Sequence, residues 1–544
     1  MSLLQVKGKG WQSPLSRWNR QGHLPGIILF SLVGGQRCGV RPGSAHVIRG
    51  CCRPGKRIIL EAGKEQMSTP TEAGTAESGE QARLERSALI VATVTSFIGP
   101  FMLSAVNIAL PAMEQGLQLD AVQLSWIATA YLLATAVALV PAGKLADIYG
   151  RKRVFALGLL IYTLGCLAGA CASSFLVLMV GRLVQGLGAA LFVSTGMAII
   201  SSIFPPQRRG RAIGIYVAAV YIGLSVGPFV GGLLVQHLGW HSIFWLMVPL
   251  GLGSLLLTLQ QLKGEWYGDP GQRFDLWSGL LYAAAMVMVV YGATRIPSLP
   301  GWALFSAGSL LFYGFLRRQF LVSFPLFELR LFTTNRAFAF SSLAALLNYG
   351  ATFAVTFLLS LYLQYLKGMS PQGAGTVLMV QPIMMALLSP MAGRLSDRIE
   401  PRLLASAGMV VTVIGVFLLT LIGSQTPVGL IIADLALLGI GFALFSSPNM
   451  SAIMGAVEPR YYGLASGAVA TMRLLGQMFS MTLATLVLSI MVGQQAITPG
   501  IYGPFLESIH LVYTLSALFC CLGVYFSWFR GAIHESPSKI AAQD

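Results

Sequence analysis

The chain has 544 residues, of which 55% are hydrophobic and only 10% charged, with a mean hydropathy of +0.71. Soluble domains carry roughly 25% charged residues, so a soluble globule of this length is excluded, as are disordered, collagen-like and disulfide-scaffold chains. The formal charge of +16 does not mark a nucleic-acid binder, because most basic residues form short clusters between apolar runs, as juxtamembrane anchors do.

In chain order, residues 1–66 come first and differ from the rest. They hold 11 Lys and Arg against Glu61 and Glu65, with no helical period. Their one apolar patch, Ile27 to Val33, is far shorter than the roughly 20 residues of a spanning helix. Arg37, Arg41 and Arg49 follow it without a small-residue cleavage site, which argues against a signal peptide. Met67 opens a polar tail, residues 67–87, that runs into the first spanner. Translation is therefore expected to start at Met67, with the leader a mis-annotated start. Outside the leader the balance is 25 basic against 18 acidic residues, a net +7. Of seven cysteines, Cys38, Cys51 and Cys52 fall in the leader, and Cys166, Cys171, Cys520 and Cys521 in apolar runs; no metal-ligand spacing links them.

Fourteen apolar stretches of spanning length follow, approximately 88–111, 122–142, 154–172, 175–201, 212–235, 240–262, 276–294, 301–316, 337–365, 371–392, 403–423, 428–452, 462–492 and 509–529. The eighth is short. Loops after even-numbered spanners hold 17 Lys and Arg, and loops after odd-numbered ones hold only Arg295 and Lys367. The positive-inside rule then puts both termini in the cytoplasm, with residues 531–544 a cytoplasmic tail, in a multi-pass protein of the cell (inner) membrane.

A faint internal repeat appears: the second spanner ends in G-K-L-A-D, Gly143 to Asp147, and the tenth in G-R-L-S-D, Gly393 to Asp397. Two related helical halves with substrate bound between them is a common plan of secondary transporters. The expected organisation is a six-helix bundle over 88–262, a linker with two extra helices over 263–335, and a second six-helix bundle over 336–530.

The loop after the second spanner reads GKLADIYGRKR, with Gly143, Asp147, Gly150 and Arg151. Its glycines permit close approach and a tight reversal. Asp147 is positioned to accept from Arg151 or to face the positive end of a neighbouring helix, a lock that holds one orientation of the halves; the same residues also suit an ordinary basic turn. This string resembles the signature loop of the major facilitator superfamily, with Ile148 where Arg is commoner. In the fifth spanner, Gly223, Gly227, Pro228, Gly231 and Gly232 match that family's antiporter motif at every defined position. Pro228 interrupts the backbone ladder and the small residues make a smooth packing face. The fourth spanner's Arg182, Gln185, Gly186 and Gly188 resemble the family's R-x-x-Q-G-x-G motif. A cation in that position costs about 2.5–3.5 kcal/mol on the insertion scale, so Arg182 is expected to face protein or water, and the resemblance implies a part in proton coupling. The stretches from Ser125 to Tyr131 and from Ala465 to Gly476 are similar to the fourteen-spanner drug:proton antiporter branch.

The resemblance implies an all-α polytopic major facilitator fold of two six-helix bundles plus a two-helix insertion. It also implies export of amphipathic organic compounds in exchange for protons. One departure stands out: the branch places an acidic residue in the first spanner, where this chain has Met102. The remaining intramembrane carboxylate is Asp434 in the twelfth spanner, a candidate partner of Arg473 in the thirteenth; Glu114 and Asp120 flank the first outer loop. Gly393, Asp397 and Arg398 make a second copy of the gating loop. Candidate cavity residues are Asn107, Trp126, Tyr131, Gln185, Asn348, Tyr349, Gln364 and Gln381. His237 and His241 offer only two ligands across a helix-breaking Gly239, so no metal site is expected, and no motif calls for a cofactor. The expected partners are a small organic substrate, protons and the lipid bilayer, with no nucleic acid, and a monomer is expected. The rivals are a dedicated exporter of one metabolite, a uniporter, a membrane-embedded enzyme acting on lipids, and a receptor or channel.

Overall fold

The computed structural model describes residues 72–268, 271–396, 398–457 and 462–531; the leader, residues 67–71, Asp397 and residues 532–544 lie outside the described residues. Sixteen α-helices follow one another, with no strand among the described residues. They are α1 (Glu72–Leu117), α2 (Ala121–Tyr149), α3 (Arg151–Ala170), α4 (Phe175–Ile203), α5 (Pro206–Leu238), α6 (His241–Gln261), α7 (Leu276–Thr294), α8 (Leu299–Leu321), α9 (Arg330–Thr334), α10 (Arg336–Tyr365), α11 (Pro371–Leu378), α12 (Val380–Ser396), α13 (Pro401–Leu419), α14 (Val428–Gly455), α15 (Tyr462–Met491) and α16 (Tyr502–Phe529). Fourteen helical stretches are long and apolar enough to cross a membrane, α11 and α12 together making one of them. All-helical spanning is what hydrocarbon demands, since each backbone polar group must be satisfied within its own segment. The eighth spanner, short by hydropathy, is a 23-residue helix, and the first extends from Gln81 to Leu117.

Local sequence sets the helix ends. Asp120 caps α2 in a reciprocal box with Gln123, accepting from its backbone N–H at 2.7 Å while the Gln123 side chain accepts from Asp120. Ser174, Asn335 and Ser370 cap α4, α10 and α11 through their side chains. Pro206, Pro371 and Pro401 open α5, α11 and α13, where a missing N–H costs nothing. Leu157, Leu160, Leu164 and Leu167 on α3 are 39–52% exposed, a greasy stripe suited to lipid rather than water.

The helices form two six-helix bundles, α1 to α6 and α10 to α16, with α7 and α8 inserted between them. The internal repeat runs deeper than its two sequence copies. A Cβ on Gly188 of α4 would come within 2.7 Å of the Gly158 carbonyl of α3, and one on Gly441 of α14 within 2.9 Å of the Gly408 carbonyl of α13. Likewise Gly186 closes on the Tyr131 carbonyl at 2.5 Å and Gly439 on the Gln381 carbonyl at 2.6 Å. Both bundles are thus packed by the same glycine contacts. The bundles meet along two seams, α2 against α15 and α5 against α11 and α12, and α1 touches α10 between them. Helix α7 packs on both α2 and α15, so the insertion covers one seam only.

Candidate translocation site

The α2–α3 loop turns on one residue. Gly150 takes φ +109°, a conformation an L side chain rarely adopts, and separates α2 from α3 by itself. Gly143 lies inside α2 with no atom within 4 Å of an added Cβ, so the tight reversal expected of both glycines belongs to Gly150 alone. Asp147 accepts from Arg151 at 2.7 and 3.0 Å, and Arg151 also reaches the Ala198 carbonyl and the Ser202 hydroxyl at the end of α4. The segment leading to α7 clasps this loop. Arg151 N donates to Trp266 O, Gly268 N to Asp147 O, Lys152 N to a Glu265 carboxylate oxygen, and Lys144 to the Gln272 side chain. In the second bundle Gly393 lies in α12, where a Cβ would meet the Ser447 hydroxyl at 2.8 Å. Arg398 is exposed, its backbone N–H donating to Leu395 O in the turn that ends α12.

The antiporter-motif residues divide between two neighbours. Added Cβ atoms would approach Phe97 O at 2.6 Å from Gly223, Phe101 O at 2.8 Å from Gly227 and the Ala105 Cα at 2.8 Å from Gly231, so these three let α5 lie directly on α1. Gly232 faces the other bundle at Pro371 O of α11, and Pro228 presents its carbonyl to Gly375 of α11. The motif therefore sits at a bundle interior and at the α5 seam together.

Arg182 does not reach toward lipid. It is fully buried, donating from Nε to Ile127 O at 3.0 Å and from Nη1 to Gln185, with its guanidinium 4.5 Å from the Tyr131 ring centroid. Gln185 in turn contacts the Cys166 thiol at 3.0 Å. The Arg182 Nη2 has no hydrogen-bond partner, and no carboxylate pairs with the cation among the described residues. Arg182, Tyr131 and Gln185 thus form one polar cluster inside the first bundle.

The pairing of Asp434 with Arg473 is not found. Both carboxylate oxygens of Asp434 are buried without partners; one lies near Gly415 of α13, and Tyr513 of α16 is within electrostatic range. Asp434 is six residues from the start of α14, whereas Arg473 is eleven from the start of α15, which enters from the opposite face. At 1.5 Å rise per residue the two lie at depths roughly 15–20 Å apart. Arg473 instead lies within electrostatic range of Tyr216 and Tyr221 of α5. Tyr221 shares a 3.0 Å hydrogen bond with Ser446 of α14, and Tyr349 of α10 packs edge-on to Phe442. A polar, aromatic patch thus joins the bundles in the half nearer the basic loops.

The far face, opposite those loops, is stitched shut. Glu114 accepts from Ile497 N at 3.0 Å, Ala121 N donates to Gln495 O, and Thr129 meets Thr485 at 3.2 Å. Ser360 donates to Asn107 O, and Gln364 to Ile108 O. Of the candidate cavity residues, Asn107 and Gln364 therefore lie on this seam and Tyr349 on the central patch. Asn348 is fully buried with both amide atoms unpartnered, and Gln381 is buried at the α12–α14 contact. Trp126 belongs elsewhere, in a far-face cleft against Tyr291 of α7. Asp120 is occupied as a helix cap, and His241 contacts the Ala172 carbonyl and stacks on Trp240.

The sequence reading missed Tyr216, Tyr221 and Ser446. The first two stand on the antiporter-motif helix just before Gly223, which was a usable signal; Ser446 has none. It also missed Arg530, fully buried beyond α16, donating to Asn449 at 2.7 Å and to Ser341 at 3.2 Å, with its guanidinium pushed down to about 10 by burial.

The Major Facilitator Superfamily model matches residues 92–481 and 341–544. The chain is 32% identical over 394 residues to the riboflavin transporter RibZ of Clostridioides difficile (strain 630), covering 71% of this chain and 84% of that protein. It is 33% identical over 408 residues to the multidrug resistance protein Stp of Mycobacterium tuberculosis (strain CDC 1551 / Oshkosh), covering 72% and 74%. Among solved structures, a bacterial homologue of the human lysosomal transporter Spinster superposes with a TM-score of 0.58 at 16% identity, over 83% of this chain and 97% of that one. By its signature loop, its duplicated glycine-packed bundles and these matches, the chain belongs to the Major Facilitator Superfamily of membrane transporters.

Proposed function

We propose that the protein exports amphipathic organic compounds in exchange for protons by alternating access. It does so as a monomer in the cell membrane, with the basic loops and both termini in the cytoplasm. The observation that carries this reading is the asymmetry of the seam. Hydrogen bonds between the bundles crowd the far face, while a polar, aromatic patch of Tyr221, Ser446 and Tyr349 lies nearer the basic face, with Arg473 within electrostatic range of Tyr221. Such a patch suits a flat amphipathic molecule with a polar edge. The Asp147–Arg151 loop gates the basic side, and the α5 glycines with Pro228 form the sliding contact between halves.

Two carboxylates are candidates for the proton. An ionised carboxylate without partners is costly in such surroundings, and a proton on Asp434 removes that cost. Glu114 bridges the halves, so its protonation weakens the far-face seal. We assign coupling to Asp434 with Arg182 and Arg473 as the fixed cations, and a supporting role at the seal to Glu114. The test is pH-gradient-driven ethidium transport in inverted vesicles from a chain started at Met67. Wild type should transport and Asp434→Asn should lose at least tenfold in rate. Undiminished transport by Asp434→Asn, with loss in Glu114→Gln, would move the coupling site to Glu114. The relative named as a riboflavin transporter supports a second reading, a dedicated exporter of one aromatic metabolite; riboflavin moved without ethidium would favour it.

A further inference from the structure

At the far face, beside the α2–α15 seam, lies a half-open cleft of about 520 Å³. Its walls come from three sources: Trp126 of the first bundle, Ser489 and Gln494 of the second, and Tyr291, Arg295 and Ser298 of the insertion. No acidic side chain lines it. Arg295 is one of two cations in the odd-numbered loops of a chain that otherwise keeps its positive charge on the opposite face. Its guanidinium lies over the Tyr291 ring at 5.2 Å and donates once, to the Tyr291 hydroxyl at 2.7 Å. A guanidinium has five N–H donors, and among the described residues no carboxylate pairs with this one. The Trp126 indole and the Gln494 amide likewise make no hydrogen bond there. The hydroxyls of Thr294, Ser298 and Ser489 already donate to backbone carbonyls, which fixes the wall and leaves the arginine as the principal donor.

We infer that this cleft is a binding site for the phosphate headgroup of an anionic phospholipid in the far leaflet. The site sits where the helices end, at headgroup level, and combines a donor-rich cation with Trp and Tyr, the residues suited to that layer. Beside it the surface turns apolar: Leu299 is 82% and Trp302 50% exposed at the start of α8, a track for acyl chains. A soluble anion would have no use for that track. Because α2 and α15 belong to different bundles, the cleft exists only while the far face is closed, and a bound lipid holds it closed.

The experiment is native mass spectrometry of the purified full chain, with phosphatidylglycerol or phosphatidylcholine added. Wild type should retain phosphatidylglycerol preferentially, and Arg295→Ala should lower that adduct about fivefold, the contribution of one interfacial cation. Lys367→Ala is the control, since Lys367 is engaged by the Ser424 carbonyl and the Tyr362 ring; it should change nothing. Arg295→Lys, which keeps the charge but not the fork, should lose less, and it carries the comparison if the alanine variant folds poorly. Equal retention by Arg295→Ala and wild type, or no preference between the two lipids, overturns the proposal. So does glycerol phosphate displacing the lipid at equal concentration, which would make this a site for soluble phosphate.

Discussion

Arg182 shows what a single side chain contributes when its surroundings are neutral. Tyr131, Gln185 and the Ile127 carbonyl hold it, yet nothing compensates its charge. A buried charge without a counter-ion carries a desolvation cost that an apolar side chain of similar length does not. Arg182→Met is therefore expected to keep or raise the melting temperature while abolishing gradient-driven transport; retained transport would make the arginine a packing residue. Its burial was legible, because the motif and the insertion cost both say it must face protein. The Asp434–Arg473 pairing was misread because each residue was placed in its spanner without counting turns from opposite faces. The depth difference was in the sequence; which way Asp434 turns, toward α13 and α16, depends on packing that no single helix encodes.

At the scale of elements, helix existence was readable almost throughout, since a run of some 20 apolar residues has few alternatives. Helix packing was not, because a glycine in a membrane helix looks the same whether or not another backbone touches it. Gly188 and Gly143 separate the cases. Gly188→Val should destabilise by about 1–3 kcal/mol through overpacking against α3, whereas Gly143→Ala should be neutral or slightly stabilising; thermal unfolding in detergent compares them. The insertion is anchored by Asp275, which caps α7 and pairs with Arg318 of α8 at 3.1 Å. Burial pushes its carboxyl up, but the Ser278 and Arg318 hydrogen bonds outweigh that and hold it below its ordinary value. A depressed carboxylate stabilises the fold above its unfolded value and loses that contribution as pH falls through the folded one. Docking of α7 and α8 should therefore hold above about pH 4 and loosen below it, a change that hydrogen exchange in the hairpin can follow. Asp275→Asn should remove the pH dependence.

For the whole molecule, the duplication was visible at two short strings and the seams were not visible at all. Spanners in one bundle carry no mark of which partner they meet in the other. Thr129 and Thr485, 356 positions apart in sequence, meet at 3.2 Å on the far side. A double cysteine replacement there, bridged by a short thiol cross-linker, is expected to stop transport and to release it on cleavage of the linker. Transport that continues while cross-linked would mean that the far face need not open.

Duplication alone would give the protein two interchangeable flanks toward the bilayer. Because α7 shutters the α2–α15 flank and no inserted helix covers the α5–α12 flank among the described residues, a solute already dissolved in the membrane approaches a molecule with a left and a right. Traffic between lipid and carrier becomes one-sided. A lipid-soluble photoreactive probe should then mark α5 and α12 more heavily than α2 and α15, and even labelling would return the two flanks to equivalence.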